Sequence, residues 1–226
     1  RGLPRASLAA IIVVAVFGLI DRKLPRELWR VRRRELPVLL LTFMATLTLG
    51  ISTGLVLGVL ASLLLFVLRT TRPHTAVLGR LPGTHVYRNL RRFPDAEPVP
   101  GLVLVRLDAQ LYFANAAFLR ATLLRLVDEA PPPVRAVIVD ASSIHDVDVS
   151  ALESLREVHR ALTARGIDLY FADVKGPVRD LLHRAGFVAE LGPEHFSFTT
   201  HEAVQRALGL AVVGDPRAVQ ADHASF

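Results

Sequence analysis

The chain contains no cysteine in 226 residues, and only two lysines, one methionine and one tryptophan. Without cysteine it can form neither a disulfide framework nor a thiolate metal site. Its eight histidines are scattered, and no two have the spacing of a zinc-binding HExxH motif. We therefore predict no metal site and no cofactor.

Enzyme signatures are also missing. Asp140, His145, Asp146 and Asp148 lie close together in the sequence, but no nucleophile or glycine-rich phosphate loop accompanies them. The helix predicted to begin at Gly176-Pro177 could receive an anion at its N-terminus. We prefer the interpretation that Gly176-Pro177 begins the helix for packing reasons and binds no anion. We predict a protein that is not an enzyme and has no catalytic residue.

Charged residues are absent between Leu36 and Leu68. A single helix of this length would measure about 50 Å, against a hydrocarbon core of about 30 Å. Arginines flank the segment on both sides, and positive flanks favour the cytoplasm, so both ends should lie on one side of the membrane. The pattern predicts a hairpin of two short passes, about 37–50 and 54–68, joined by a turn at Gly50–Gly54.

A further apolar run at about 3–20 predicts another membrane helix. The basic segment 21–35 that follows it has apolar residues at helical spacing and predicts an interfacial helix on the cytoplasmic side, with a solvated charged loop as the alternative.

In the last pass Gly54, Gly58 and Ser62 stand four residues apart, a pattern that indicates close helix contact.

The positive charge is unevenly distributed. The whole chain carries a formal charge of +6, whereas 101–213 holds eleven Lys and Arg against fourteen Asp and Glu, a net charge of −3. The excess cations therefore accompany the apolar segments. This distribution is typical of membrane topology and argues against a nucleic-acid partner.

Arg1 is not a natural start residue and no signal peptide is visible, so we expect the chain to begin within a longer protein.

The soluble part is organised around Ala136–Gly166. Ala136–Asp140 is a short apolar run typical of a buried strand, and a loop rich in Ser and Asp follows it. From Ser150 the apolar residues recur on one face of a helix that Gly166 ends. The capping-box pattern Ser150-Ala-Leu-Glu153 predicts that Ser150 caps this helix.

Strands and helices alternate around this unit and predict one small α/β domain of four or five strands. Asn115 is predicted to cap the helix before the central strand, and Thr199 with Glu202 to open the last helix. The other predicted strands are 85–90 (at an edge), 102–108, 167–174 and 196–198, and a short helix is predicted at 177–185.

Three soluble stretches carry a specific resemblance: LDAQLYFANAAFLR (107–120), DASSIHDVDVSAL (140–152) and VKGPVRDLLHRAGF (174–187). They resemble the STAS domain of SulP-type anion permeases. The linker RPHTAVLGRLPGTHVYRN (72–89) is similar to the join between permease and STAS domain in that family. The order of elements agrees, and the match covers all of the chain except its tail.

The resemblance implies a secondary active transporter of small anions such as sulfate or bicarbonate, in the inner membrane and multi-pass, with a cytoplasmic STAS domain. The fold class it implies is the last three helices of a two-repeat transporter gate domain, followed by a small α/β STAS domain. The family's anion site lies in a core domain that this sequence lacks, so no substrate-binding residue is carried over. The implied partners are the lipid bilayer, the missing N-terminal transmembrane domain, a second copy in a homodimer, and a cytoplasmic protein partner of the STAS domain.

In STAS proteins that antagonise anti-sigma factors, a serine in an Asp-Ser-Ser/Thr-Gly loop is phosphorylated. The matching residues here are Asp148-Val149-Ser150-Ala151, so the phosphorylated position is Val149 and that chemistry is lost there. Asp146, Asp148 and Ser150 remain the candidate interaction surface, although turn formation and helix capping also explain them.

The predicted boundaries are 1–69 for the membrane helices, 70–100 for a connector with the first STAS strand, 101–213 for the STAS domain and 214–226 for a disordered tail. The alternative function is a membrane-anchored STAS signalling module without transport activity.

Overall fold

The computed structural model describes residues 5–19, 23–31 and 33–210. The predicted tail at 214–226, and the ends of the predicted first membrane helix at residues 3, 4 and 20, lie outside these ranges. Internal contacts divide the chain into two units, Arg1–Leu68 and Arg69–Phe226.

The first unit is helical. Its helices are α1 (Arg5–Leu19), α2 (Lys23–Val31), α3 (Leu36–Leu49) and α4 (Ile51–Thr71, which continues into the second unit), with a 3₁₀ turn at Arg33–Glu35. Within the described residues, α4 is the one helix long and apolar enough to cross a membrane, and the apolar helices Ala9–Gly18 and Leu36–Leu49 are shorter.

The turn of the hairpin is shorter than predicted. Gly50 alone separates α3 from α4, and its φ of +88° with ψ of 167° is a conformation reserved for glycine. Its carbonyl oxygen accepts a hydrogen bond from Gly54 N at 3.0 Å, so α4 begins at Ile51 rather than at Gly54. The predicted turn at Gly50–Gly54 was therefore wrong at its last four residues, which belong to α4.

Small residues bring α3 and α4 into contact. A Cβ built on Gly58 would lie 2.7 Å from Thr42 Oγ1, and one built on Gly54 would clash with Thr46. Thr42 and Thr46 donate their hydroxyl hydrogens to the carbonyl oxygens one helical turn earlier, each at 2.8 Å. This confirms the predicted close contact at Gly54 and Gly58.

The second unit is built on a six-stranded sheet in the order β2-β1-β3-β4-β5-β6. Strand β1 is antiparallel to β2 and β3, whereas β3 to β6 are parallel. The strands are β1 (Thr75–Arg80), β2 (Tyr87–Asn89), β3 (Leu102–Leu107), β4 (Ala136–Asp140), β5 (Asp168–Ala172) and β6 (Phe196–Ser197).

Helices cover both faces of this sheet. One face packs against the four helices that connect the parallel strands, and the other against α9, whose Ala203 and Val204 are buried. The helices are α5 (Phe113–Glu129), α6 (Val149–Thr163), α7 (Gly176–Arg184), α8 (Phe187–Leu191) and α9 (Thr200–Ala207).

The sheet has one more strand than predicted. Strand β1 falls within the predicted connector, yet it pairs on both sides and buries Ala76 and Leu78. A Cβ on Gly79 would lie 2.6 Å from the carbonyl oxygen of Glu97, because Arg80 and Glu97 exchange backbone hydrogen bonds of 2.8 and 2.9 Å there. Glycine in this strand thus permits close backbone approach.

Candidate STAS loop surface

The candidate site is the loop that follows β4. All five residues of β4 are buried, and Asp140 at its end accepts a hydrogen bond from Ser142 N at 3.0 Å. The backbone of Ala141 donates to Ala172 O of β5 at 2.8 Å. The loop therefore leaves the sheet at the carboxyl ends of the parallel strands, where loops of α/β folds commonly carry function.

A second segment is joined to this loop by backbone hydrogen bonds. Leu111 N donates to Asp146 O, and Asp148 N donates to Leu111 O, each at 3.0 Å. Leu111 and Val147 form a parallel bridge and are both buried. The start of α5 is thereby held beside the start of α6.

Asp148 caps both helices with one carboxylate. Its Oδ1 accepts from Ala151 N of α6 at 2.7 Å, and its Oδ2 accepts from Phe113 N of α5 at 2.7 Å. A negative charge at a helix N-terminus satisfies unpaired N–H groups and interacts favourably with the helix dipole. Asp148 is therefore a structural residue of this surface, and both of its oxygens are engaged.

The predicted cap at Ser150 was wrong. Asp148 is the N-cap, so Ser150 is the second residue of α6 and its side chain is exposed. Glu153 pairs instead with Arg160 at 2.7 Å and with Arg156 at 3.5 Å. The hydrogen bonds from Leu111 hold Asp148 at the helix start, and a local sequence pattern does not reveal them.

Asn115 was also assigned wrongly as a cap. It is the third residue of α5 and is fully buried. Its Oδ1 accepts from Tyr112 N at 3.0 Å and its Nδ2 donates to Gln110 O at 2.8 Å. Asn115 thus fixes the turn that leads into α5 from inside the domain.

Two large apolar side chains stand out at the helix starts. Val149 is 83% exposed and Phe113 is 72% exposed, the highest values among the large hydrophobic residues that the structure describes in the second unit. The rings of Tyr112 and Phe113 meet edge to face at 5.6 Å. Sequence reasoning treated Val149 only as a lost phosphorylation position and did not single out Phe113.

Asp146 and Ser150 flank these apolar groups. Asp146 is exposed, and its Oδ1 accepts from the neighbouring Val147 N at 2.9 Å. We call the exposed set Phe113, Asp146, Val149 and Ser150 the loop surface. It combines an apolar centre with one carboxylate and one hydroxyl. Within the described residues, no group of three or more His, Cys, Asp or Glu could hold a metal ion.

Two carboxylates near the ends of the parallel strands have shifted pKa values. Burial alone would raise the pKa of Asp108, but hydrogen bonds from Arg106 at 2.7 Å and His74 at 2.8 Å, with their charges, outweigh burial and lower it. The pKa of Asp173 is raised by burial and by the negative charge of Asp140. Asp173 also accepts a hydrogen bond from the hydroxyl of Thr200, at the start of α9, at 3.2 Å.

Comparison with protein families matches residues 93–207 to the STAS domain. The chain is 38% identical over 212 residues to "Probable sulfate transporter 4.2" of Arabidopsis thaliana, covering 90% of this chain and 31% of that protein. It is 39% identical over 202 residues to a probable sulfate transporter of Mycobacterium tuberculosis (strain CDC 1551 / Oshkosh), covering 89% and 36%. The chain thus spans about a third of the length of these relatives.

Among solved structures, the fold matches murine Solute Carrier 26 family member A9, an anion transporter in the inward-facing state, with a TM-score of 0.77. That match covers 92% of this chain and 34% of the transporter at 23% identity, so it bears on the fold alone. The family model covers about half of the chain, and the sulfate-transporter relatives cover both units. The chain therefore belongs to the STAS domain family, and along about nine-tenths of its length it resembles SulP-type sulfate transporters.

Proposed function

We propose that this chain is the C-terminal part of a secondary active transporter of a small anion, sulfate being the first candidate and bicarbonate another. The observation that carries the proposal is the match to a sulfate transporter over 90% of this chain, which includes the helical unit as well as the STAS domain. A STAS signalling protein with an unrelated membrane anchor would match over the STAS domain alone.

In this proposal α1, α3 and α4 cross the inner membrane as the last helices of the gate domain. Support comes from the exposed apolar side chains along all three helices and from the close contact of Gly58 with Thr42. Without a hydrophobic driving force between helices in lipid, such small-residue contacts stabilise helix pairs. The arginines that flank the hairpin favour a cytoplasmic STAS domain.

In this proposal the chain supports the gate, while the core domain binds the anion. Unlike the core domain's half-helices, α3 and α4 are unbroken between their ends. We therefore attribute their contribution to the packing of α3 against α4.

The loop surface is proposed as the contact of the STAS domain with a cytoplasmic protein partner. The buried centre of a protein interface is apolar and enriched in aromatic side chains, with polar groups around it. Val149 and Phe113 supply that centre, while Asp146 and Ser150 supply the rim. Homodimerisation remains a separate proposal from the family resemblance.

Sulfate uptake tests the transport function. The longer protein that contains this chain is reconstituted into proteoliposomes, complete or ended after Thr71, where α4 ends and before β1 begins. We expect saturable uptake of labelled sulfate by the complete protein and reduced uptake or assembly for the truncated one. Specific sulfate binding without uptake, or no response to any small anion, would favour the alternative of a membrane-anchored STAS signalling module.

A photo-crosslinking amino acid at position 149 tests the loop surface in cells. We expect crosslinks to a cytoplasmic protein from position 149, because the side chain of Val149 is 83% exposed. Position 86, where Val86 is 41% exposed on the sheet-edge hairpin, is the matched control. Equal crosslinking at the two positions would contradict a specific role for the loop surface.

A further inference from the structure

Three side chains form a hydrogen-bonded chain away from the loop surface. His85 lies in the hairpin loop between β1 and β2, and its Nδ1 is 2.7 Å from Nε2 of His201, the second residue of α9. The other ring nitrogen of His201, Nδ1, is 3.0 Å from the hydroxyl of Tyr87 in β2. The two imidazole centroids are 4.1 Å apart.

We propose that His85, His201 and Tyr87 form a proton-sensitive latch that holds the first turn of α9 to the sheet-edge hairpin. Each link in the chain requires one hydrogen between two heavy atoms. With both rings neutral, His85 Nδ1–H can donate to His201 Nε2 while His201 Nδ1–H donates to the Tyr87 hydroxyl. The latch is closed in this arrangement.

One proton can be added without breaking the chain. The side chain of His85, in the hairpin loop, is exposed to solvent. Its ring can therefore carry a proton on Nε2 while its Nδ1–H still donates to Nε2 of His201. A second proton must go to Nε2 of His201, where it would face the N–H of His85 at hydrogen-bond distance. Two imidazolium rings in this position repel each other and leave no acceptor, so the contact opens.

The surroundings of His201 oppose its protonation. Partial burial lowers its pKa, followed by the positive charges of His85 and of Arg80 at the end of β1. The N-terminus of α9 disfavours a cation as well. The other charged groups at this helix start are engaged elsewhere: Asp173 binds the hydroxyl of Thr200, and Glu202 pairs with Arg206. Tyr87 is buried and its pKa is raised, chiefly by that burial, so its hydroxyl stays neutral.

The direction of the pH effect follows from the lowered pKa. An unfolded histidine titrates near about 6.5, so the unfolded chain binds the proton before the folded one does. The contribution of His201 to stability is complete above that pH and is lost as the pH falls through the lower folded value. Asp173, with its raised pKa, has the opposite sign, because its protonation favours the folded state.

The consequence is a helix that loosens in mild acid. Helix α9 covers the second face of the sheet with Ala203 and Val204, so opening at its first turn exposes the edge of that core. Acidification of the compartment that contains the STAS domain would therefore act on α9 and the hairpin together.

The latch is tested by NMR of the full chain in detergent, with labelled histidine and a titration from pH 8 to pH 4.5. The variant His85→Gln keeps a donor and an acceptor beside His201 but removes the second charge. We expect the midpoint of His201 to lie below about 6.5 in the wild type and to rise in this variant. A rise of one pH unit would correspond to a tenfold change in proton affinity.

The control is His145→Gln, which removes an exposed histidine from the loop after β4. It should leave the His201 midpoint unchanged. Hydrogen exchange of 200–207 and 84–89, corrected for the intrinsic rate, should increase more between pH 7.5 and 5.0 in the wild type than in His85→Gln. The proposal is overturned if His201 has the same midpoint in both proteins, or if exchange in both segments follows pH identically.

Discussion

At the scale of single residues, Asp148 joins the starts of two helices, because it caps α6 and also accepts a hydrogen bond from Phe113, 35 residues earlier in the sequence. The sequence places a serine with a capping-box glutamate immediately downstream, and local reasoning selects that serine. The structure selects Asp148 because Leu111 fixes its backbone from another segment. Caps that depend on such non-local hydrogen bonds cannot be read from a window of four residues, whereas the local cap at Thr199 could be. Thr199 accepts from Glu202 N at 3.1 Å, as predicted.

Replacing Asp148 by alanine should loosen the starts of α5 and α6 together. Loss of an N-cap costs about 0.5–2 kcal/mol, and the second hydrogen bond adds about 1 kcal/mol. Hydrogen-exchange mass spectrometry of the full chain should show faster exchange at 113–117 and at 149–153. Asp148→Asn should lose less, since its amide oxygen still accepts one of the two hydrogen bonds.

Asp146→Ala is the matched control, because that carboxylate is exposed and bonds only to its neighbour in the chain. It should leave exchange in α5 unchanged. Loosening of α6 alone in Asp148→Ala would show that the link to Phe113 contributes nothing to stability.

At the scale of elements, the strands that were predicted correctly are those with a clear pattern in their own short stretch of sequence. The buried strand β4 and the edge position of β2 were predicted, because an uninterrupted apolar run and a short polar-flanked strand are local patterns. Strand β1 was missed since Gly79 and the surrounding prolines indicate a connector. It is a strand because β2 and β3 pair with it on both sides, which no single segment reveals.

The contact between α3 and α4 in the first unit can be tested by substitution. In Gly58→Leu the new side chain would collide with Thr42, so the two helices should separate. In the reconstituted longer protein we expect a lower yield of folded transporter and uptake reduced several-fold.

Gly18→Leu is the control for the same chemical change. No atom lies within 4 Å of a Cβ built on Gly18, and its surroundings in α1 are exposed. Uptake by this variant should stay near the wild-type value. If both variants lose uptake equally, added bulk in an apolar helix, and not the α3–α4 contact, is responsible.

At the scale of the whole molecule, the division into two units follows from composition. Apolar helices and a short basic segment make up the first unit, and a sheet with helices on both faces makes up the second. The sequence predicts this contrast because the hydropathy and the charge of each segment can be read directly from its residues. The number of membrane crossings is harder to predict, since α1 and α3 are shorter than a full span while α4 is long enough.

The two edges of the sheet limit how this domain can associate. Strand β2 has three residues and β6 has two, so an incoming strand would find few backbone groups to pair with at either side. Extension of the sheet by a peptide or by another copy is therefore a weak mode of recognition for this domain. Assembly must instead use side chains on helix and loop surfaces, where specificity depends on individual residues and can be changed one substitution at a time.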